Sequence, residues 1–177
     1  ASLPKWTAYH TELGQNHDLF VGFQRIQDSS EFTTLDLAKQ KTVRNSIRDF
    51  RLSGVELEEE ARKRFAEIVT ELATLSNRFE QNLLDATDGW HLDVDRDVDL
   101  SGLPESACAL ARQTARIAGL EGWRFTLQAP AFIPFMMFSS QPELRRQMYE
   151  AYVTRASNCG PNAGQWDNSE VMDQILV

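Results

Sequence analysis

The chain has three histidines, His10, His17 and His91. A zinc peptidase of the common type needs His-Glu-x-x-His, two imidazoles one helical turn apart and aimed at one metal, with the Glu activating a water. His10-Thr11-Glu12 places a His and a Glu close together, but position 14 is Gly and His17 lies seven residues on. The three therefore read as polar residues on amphipathic helices. Asp93, Asp95, Asp97 and Asp99 invite a calcium reading. An EF-hand loop needs Gly at its sixth position and a carboxylate at its twelfth. Counted from Asp93 these are Val98 and Pro104, and from Asp95 they are Leu100 and Ser106, so both registers fail. The ladder reads instead as the solvated face of an edge strand, where charge also blocks edge-to-edge association. No Gly-x-Ser-x-Gly, no Cys–His pair and no Gly-rich phosphate loop stands out. Cys108 and Cys159 lie 51 residues apart in no metal or redox spacing and read as idle thiols of a reducing compartment. Residues 158–168 mix Gly, Pro, Asn, Trp166 and Asp167 between two helical patterns. They are the stretch most like a functional loop, although a structured connector is the simpler reading.

The elements that must position these residues are mostly helices. Leu57, Ala61, Phe65, Ile68, Leu72, Leu75, Phe79 and Leu83 follow one another at spacings of 4, 4, 3, 4, 3, 4 and 4. That predicts one long amphipathic helix ending near Asp88-Gly89. Glu58, Glu59 and Glu60 precede Arg62, Lys63 and Arg64 by four residues each, the favourable order for ion pairs on a helix surface. Such a helix cannot stand alone, so its apolar seam requires a cover. The first candidate is the preceding helix, opened by Thr33-Thr34 with Asp36, carrying Leu37, Val43, Ile47 and Phe50, and stopped at Gly54. Two shorter helices come before it, over Leu3–Leu13 and Asp18–Ile26. After the long helix the period changes to two, and Leu92–Leu100 predicts a strand with Leu92, Val94, Val98 and Leu100 inward. A helix from Pro104 to Gly119 should bury Ala107, Leu110, Ala111, Ile117 and Ala118. Trp123–Leu127 should form a second strand paired with the first. Ala129–Met137, with two prolines among Phe132, Ile133, Phe135 and Met136, is expected to be buried extended chain or a partner-covered surface. Ser140 and Glu143 have the spacing of a capping box opening a helix to about Ala156. Asp167 or Asn168 caps a last helix. The expected fold is mainly α, an antiparallel long-helix bundle with a small two-stranded β ribbon. It is a single segment over 1–177 with sub-parts 1–90, 91–138 and 139–177.

Bulk properties narrow the function classes. At 177 residues and 42% hydrophobic content, the chain has material for a real core. A net charge of -8 argues against a nucleic-acid backbone or an anionic membrane as partner. No apolar run approaches the ~18 residues of a membrane span, and residues 1–15 lack a secretory layout. Both ends look cut, so the expectation is an excised segment of a longer protein.

Several stretches together identify a family. TELGQN (Thr11–Asn16), RDFRLSG (Arg48–Gly54), ELATLSNRF (Glu71–Phe79), NLLDATDGW (Asn82–Trp90), GLPES (Gly102–Ser106), GLEGW (Gly119–Trp123) and YVTRASNCGPNAGQWDNSEVM (Tyr152–Met172) resemble the thimet oligopeptidase family of zinc metallopeptidases almost end to end. The resemblance implies a mostly helical, cytoplasmic peptidase whose two halves flank a deep channel admitting short peptides. Its zinc ligands lie on a His-Glu-x-x-His helix and a later Glu that this chain does not contain. What is here resembles an internal piece of the N-terminal, non-catalytic half, expected to be inactive. No catalytic residue or metal ligand carries over; zinc is implied only for the parent. Arg155, Trp166 and Asn168 are the candidate substrate-side residues. The competing reading is a self-standing helical interaction module, and in either case uncovered apolar faces are expected to promote self-association.

Overall fold

The computed structural model describes residues 3–177, with the side chains of Leu3, Pro4 and Val98 outside that description. The expectations for Leu3 and Val98 as inward residues therefore lie outside the described residues. Among the described residues there are eight α-helices and one two-stranded antiparallel sheet. Two compact units are present, residues 1–76 and 77–177, with the boundary inside the long helix.

In the first unit, α1 spans Leu3–Gly14, α2 His17–Asp28 and α3 Leu37–Leu52. Asn16 and Asp36 open the latter two, each side chain accepting a hydrogen bond from the backbone three residues on, at Leu19 and Lys39. Phe20 of α2, Phe32, Val43 and Ile47 of α3, and Val55 form the buried cluster. Gly54, at φ +84°, makes the turn out of α3, a conformation that glycine adopts without strain. Here one expectation fails. The buried face of α3 lies on α2 and does not cover the seam of the long helix, α4, which runs Glu59–Asp88. Leu57, Ile68 and Leu72 remain 37–41% exposed, and only Leu75 of that stretch is buried. Of the expected surface pairs, Glu59–Lys63 forms at 3.0 Å, whereas Arg64 turns forward to Glu67.

In the second unit, β1 (His91–Val94) and β2 (Trp123–Thr126) pair antiparallel, with Asp93 opposite Arg124 and Leu92 opposite Phe125. The long first strand is not formed: after Val94 the chain leaves the sheet and coils into a 3₁₀ turn over Asp97–Leu100. Arg96 holds Asp99 with two hydrogen bonds, so the four aspartates do not share one strand face. Helix α5, Glu105–Ile117, packs on the ribbon through Ala107, Ala111 and Ala115. Leu110 and Ile117, expected to be buried, are 37% and 80% exposed, and Ala118 is exposed too. An alanine stripe lets the helix approach closely and leaves no room for larger side chains on that face.

Residues 129–138 are also a correction. They form helix α6, Ala129–Phe138, rather than extended chain. Pro130 sits in the first turn, where no N–H is needed. Pro134, four residues later, leaves the Pro130 carbonyl without its intrahelical donor. Ala131 and Phe135 are buried, while Ile133, Met137 and Phe138 are about half exposed or more. Helix α7 covers Pro142–Val153. The expected capping box does not close, because Glu143 pairs with Arg146 at 2.6 Å. Helix α8, Ser169–Leu176, ends the described chain. Phe125, Leu127, Phe135, Met148 and Ala151, with Val94 and Ala111, form the core, and the Phe125 and Phe135 rings meet edge to face at 4.7 Å.

Candidate functional site

A groove of about 520 Å³ lies within the second unit. One wall is the last part of α4, where Glu80, Leu83, Leu84 and Thr87 recur at helical spacing. The others come from Leu127–Phe132 with Ile133, and from Tyr152 and Arg155 at the end of α7. Apolar side chains dominate the lining. Phe132 stacks on Tyr152 with centroids 4.0 Å apart and planes 14° apart. The Arg155 guanidinium lies 3.7 Å from the same Tyr152 ring. Its Nε donates to the Tyr152 carbonyl at 2.8 Å and its Nη1 to the Thr87 hydroxyl at 3.0 Å. Thr87 in turn donates to the Leu83 carbonyl at 2.7 Å. Arg155 is thus fixed by three contacts and makes no ion pair among the described residues. A guanidinium carries five N–H donors, so capacity remains for an acceptor in the groove.

Asn168 occupies a different place. It is 3% exposed; its Nδ2 donates to the Phe79 carbonyl at 3.1 Å, and its Oδ1 accepts from Asn82 Nδ2 at 2.8 Å. Its backbone N–H closes the loop on the Ala156 carbonyl. Trp166 lies against Gly89, where an added Cβ would run into the indole. It also holds a left-handed backbone, φ +59°. The three candidate residues are therefore brought to the last turns of α4 and to Gly89 just beyond it, but only Arg155 faces the groove. Asp167 supplies the capping oxygen to Ser169, whose backbone N–H holds the Asp167 carboxyl below its usual range.

The remaining chemistry-bearing residues do not assemble. Among the described residues no group of three or more His, Cys, Asp or Glu could hold a metal ion. His10 packs edge-on to Trp6 at 4.3 Å, His17 lies beside Phe20, and His91 approaches Asp93 at 3.7 Å. The described residues therefore offer no ligand set that fits zinc. Cys108 and Cys159 are free, and burial pushes the Cys108 thiol up, away from a reactive thiolate. Asp93 is committed to Arg124, whose Nε and Nη2 each donate at 2.7 Å; this pair holds the Asp93 carboxyl below its ordinary value. No described helix is long and apolar enough to cross a membrane.

The groove is mainly apolar, with Glu80 and Arg155 as its two charged lining residues. Residues 2–62 match the family model for the neurolysin/thimet oligopeptidase N-terminal domain. The chain is 46% identical over 175 residues to oligopeptidase A of Haemophilus influenzae and 44% identical over 176 to that of Escherichia coli. In each case 99% of this chain and 26% of the relative are covered. The probable cytosolic oligopeptidase A of Arabidopsis thaliana is 34% identical over 180 residues, covering 98% of this chain and 25% of that protein. The chain belongs to the thimet oligopeptidase family. Within it, the similarity to oligopeptidase A extends over nearly every residue, while the chain spans about a quarter of the length of these relatives.

Two groove residues, Glu80 and Thr87, escaped the sequence reading. Their signal was available, since both flank Leu83-Leu84 on one helix face at a seven-residue spacing. Tyr152 reads as one more apolar position of a helix and Phe132 as part of a buried extended or partner-covered stretch, and neither pattern says which side remains open.

Proposed function

We propose that this chain forms the scaffold and one channel wall of a zinc-dependent oligopeptidase that hydrolyses short peptides. The carrying observation is the near full-length similarity to bacterial oligopeptidases A, at 44–46% identity. The zinc-binding and catalytic residues of such an enzyme would lie outside these 177 residues, a reading supported by the lack of a fitting ligand cluster among the described residues. The chain's own contribution would be architectural: a long helix, α4, onto which loop 154–168 is tied by Arg155 and Asn168. A cytoplasmic location and short peptides as partners follow from the same relationship.

The test is metal analysis and a quenched-fluorescence peptide assay on the isolated chain. Turnover is expected to be at background and zinc well below one per chain. Turnover that survives repurification would overturn the proposal. A second reading, a helical interaction module, is favoured by the apolar side chains left open on α1 and α6, among them Trp6, Tyr9 and Met137. The coding sequence separates the two. Continuation to a His-Glu-x-x-His supports the peptidase, and a stop codon directly after Val177 supports the module.

A further inference from the structure

We propose that the groove bounded by α4, α6 and the end of α7 binds a short peptide, about three residues long, with its terminal carboxylate on Arg155. The inference rests on the oligopeptidase reading for the class of ligand, and on the groove's own geometry for its orientation. Arg155 is a cation already ordered by Tyr152 and Thr87, with no carboxylate partner among the described residues. A planar guanidinium presenting free N–H groups at the edge of an apolar groove suits a carboxylate better than a neutral carbonyl. The walls, Leu83, Leu84, Leu127, Phe132 and Ile133, suit apolar side chains.

The spacing along α4 sets the length. Arg155 is held at the level of Thr87, and Glu80 lies seven residues earlier on the same helix face. Seven residues rise ~10 Å along a helix at ~1.5 Å each. Three residues of extended peptide span ~10 Å at ~3.3–3.6 Å each. Glu80 is exposed and also makes no ion pair among the described residues. It stands where the ammonium of a bound tripeptide falls when the carboxylate is on Arg155. A cation at one end, an anion at the other and leucines between them match the two charged ends and the apolar middle of a free short peptide.

The probe is the tripeptide Ala-Leu-Phe, titrated into the 177-residue chain and followed by amide chemical shifts. Saturable shifts are expected at Leu84, Ile133 and Tyr152. The C-terminal amide of the same tripeptide should bind at least about tenfold more weakly, the factor carried by ~1.4 kcal/mol. N-acetylation should weaken binding by a smaller factor, since Glu80 is solvated. Arg155→Gln should abolish the preference for acid over amide. Because that change also cuts the tie to Thr87, Leu84→Glu provides a second arm. Leu84 is 56% exposed and makes no structural hydrogen bond, so the added carboxylate repels an anionic ligand without loosening the fold. Equal binding of acid and amide overturns the proposal, as does undiminished binding to L84E or an absence of shifts at a folded groove. These outcomes need no turnover, so they are independent of whether the chain belongs to an active peptidase.

Discussion

Replacing Asn168 tests the tie between the last loop and α4. Asn168→Ala removes two side-chain hydrogen bonds, one to the Phe79 carbonyl and one from Asn82. Each is worth ~1 kcal/mol net, and leaving the half-buried Asn82 amide without its acceptor adds up to ~1 kcal/mol more. The expected loss is therefore ~2–3 kcal/mol. In a unit of residues 77–177, at roughly 4–8 °C per kcal/mol, the midpoint should fall by about 10–20 °C. Trp90, Trp123 and Trp166 all lie in this unit, so fluorescence-detected urea unfolding reads the right transition. Asn168→Asp sharpens the argument. The introduced carboxylate can still accept from Asn82, but it cannot donate and faces the Phe79 carbonyl with negative charge. Burial without a cation raises its folded-state pKa, so the penalty is full above the ordinary carboxylate range and shrinks as pH falls and an O–H donor returns. N168D should therefore recover toward native stability on acidification, while the N168A deficit stays flat relative to native. A loss below ~0.5 kcal/mol for N168A, the scale of an ordinary surface substitution, would refute the tie.

Other predictions follow from single contacts. Asp93→Asn should cost ~0.5–1 kcal/mol at neutral pH, discounted because the carboxylate is half exposed. Since Arg124 depresses the Asp93 pKa, the native advantage exists above the unfolded carboxylate value and vanishes as pH falls through the folded one, so paired urea midpoints at pH 7 and pH 3 should converge. Gly102→Ala should destabilise by more than ~1 kcal/mol, because φ is +87° and the new Cβ would meet the Phe138 carbonyl; an unchanged thermal midpoint would contradict this. Met137→Glu, at a position 66% exposed on α6, should leave stability unchanged and weaken any self-association in sedimentation velocity, whereas an unaltered monomer–dimer balance would exclude that face.

The helices were legible wherever polar and apolar residues alternate with the helical period against water. Helix α4 is the clearest case, together with the caps at Asn16 and Asp36. Legibility failed where the deciding contact is remote in sequence. Asp95 and Asp97 continue the period-two pattern, but Gly122 comes close to the Val94 carbonyl and the ladder ends there. Helix α6 is the opposite failure. Two prolines in ten apolar residues read as extended chain, yet their four-residue spacing confines most of the damage to the first turn. Leu110 and Ile117 read as core because a helix pattern cannot say that its neighbour will be approached through alanines.

The groove shows the same division at the level of chemistry. Arg155 stood out in a loop-adjacent motif, but its environment could not be inferred. The hydroxyl that positions it, Thr87, is 68 residues away in sequence. Asn168 and Trp166 stood out equally, and the structure uses them differently: one is buried as a bridge to α4 and the other leans on Gly89. What separates Asn168 from Arg155 is satisfaction of its polar atoms. Both polar ends of the Asn168 amide are spent on protein partners, whereas the Arg155 guanidinium retains unspent donors beside apolar walls. A polar group anchored on one side and open on the other can recognise a ligand at small entropic cost, because its rotamer is already fixed. By that criterion Arg155 rather than Asn168 is able to bind something beyond this chain, and Asn168 is the one whose loss should be felt first in stability.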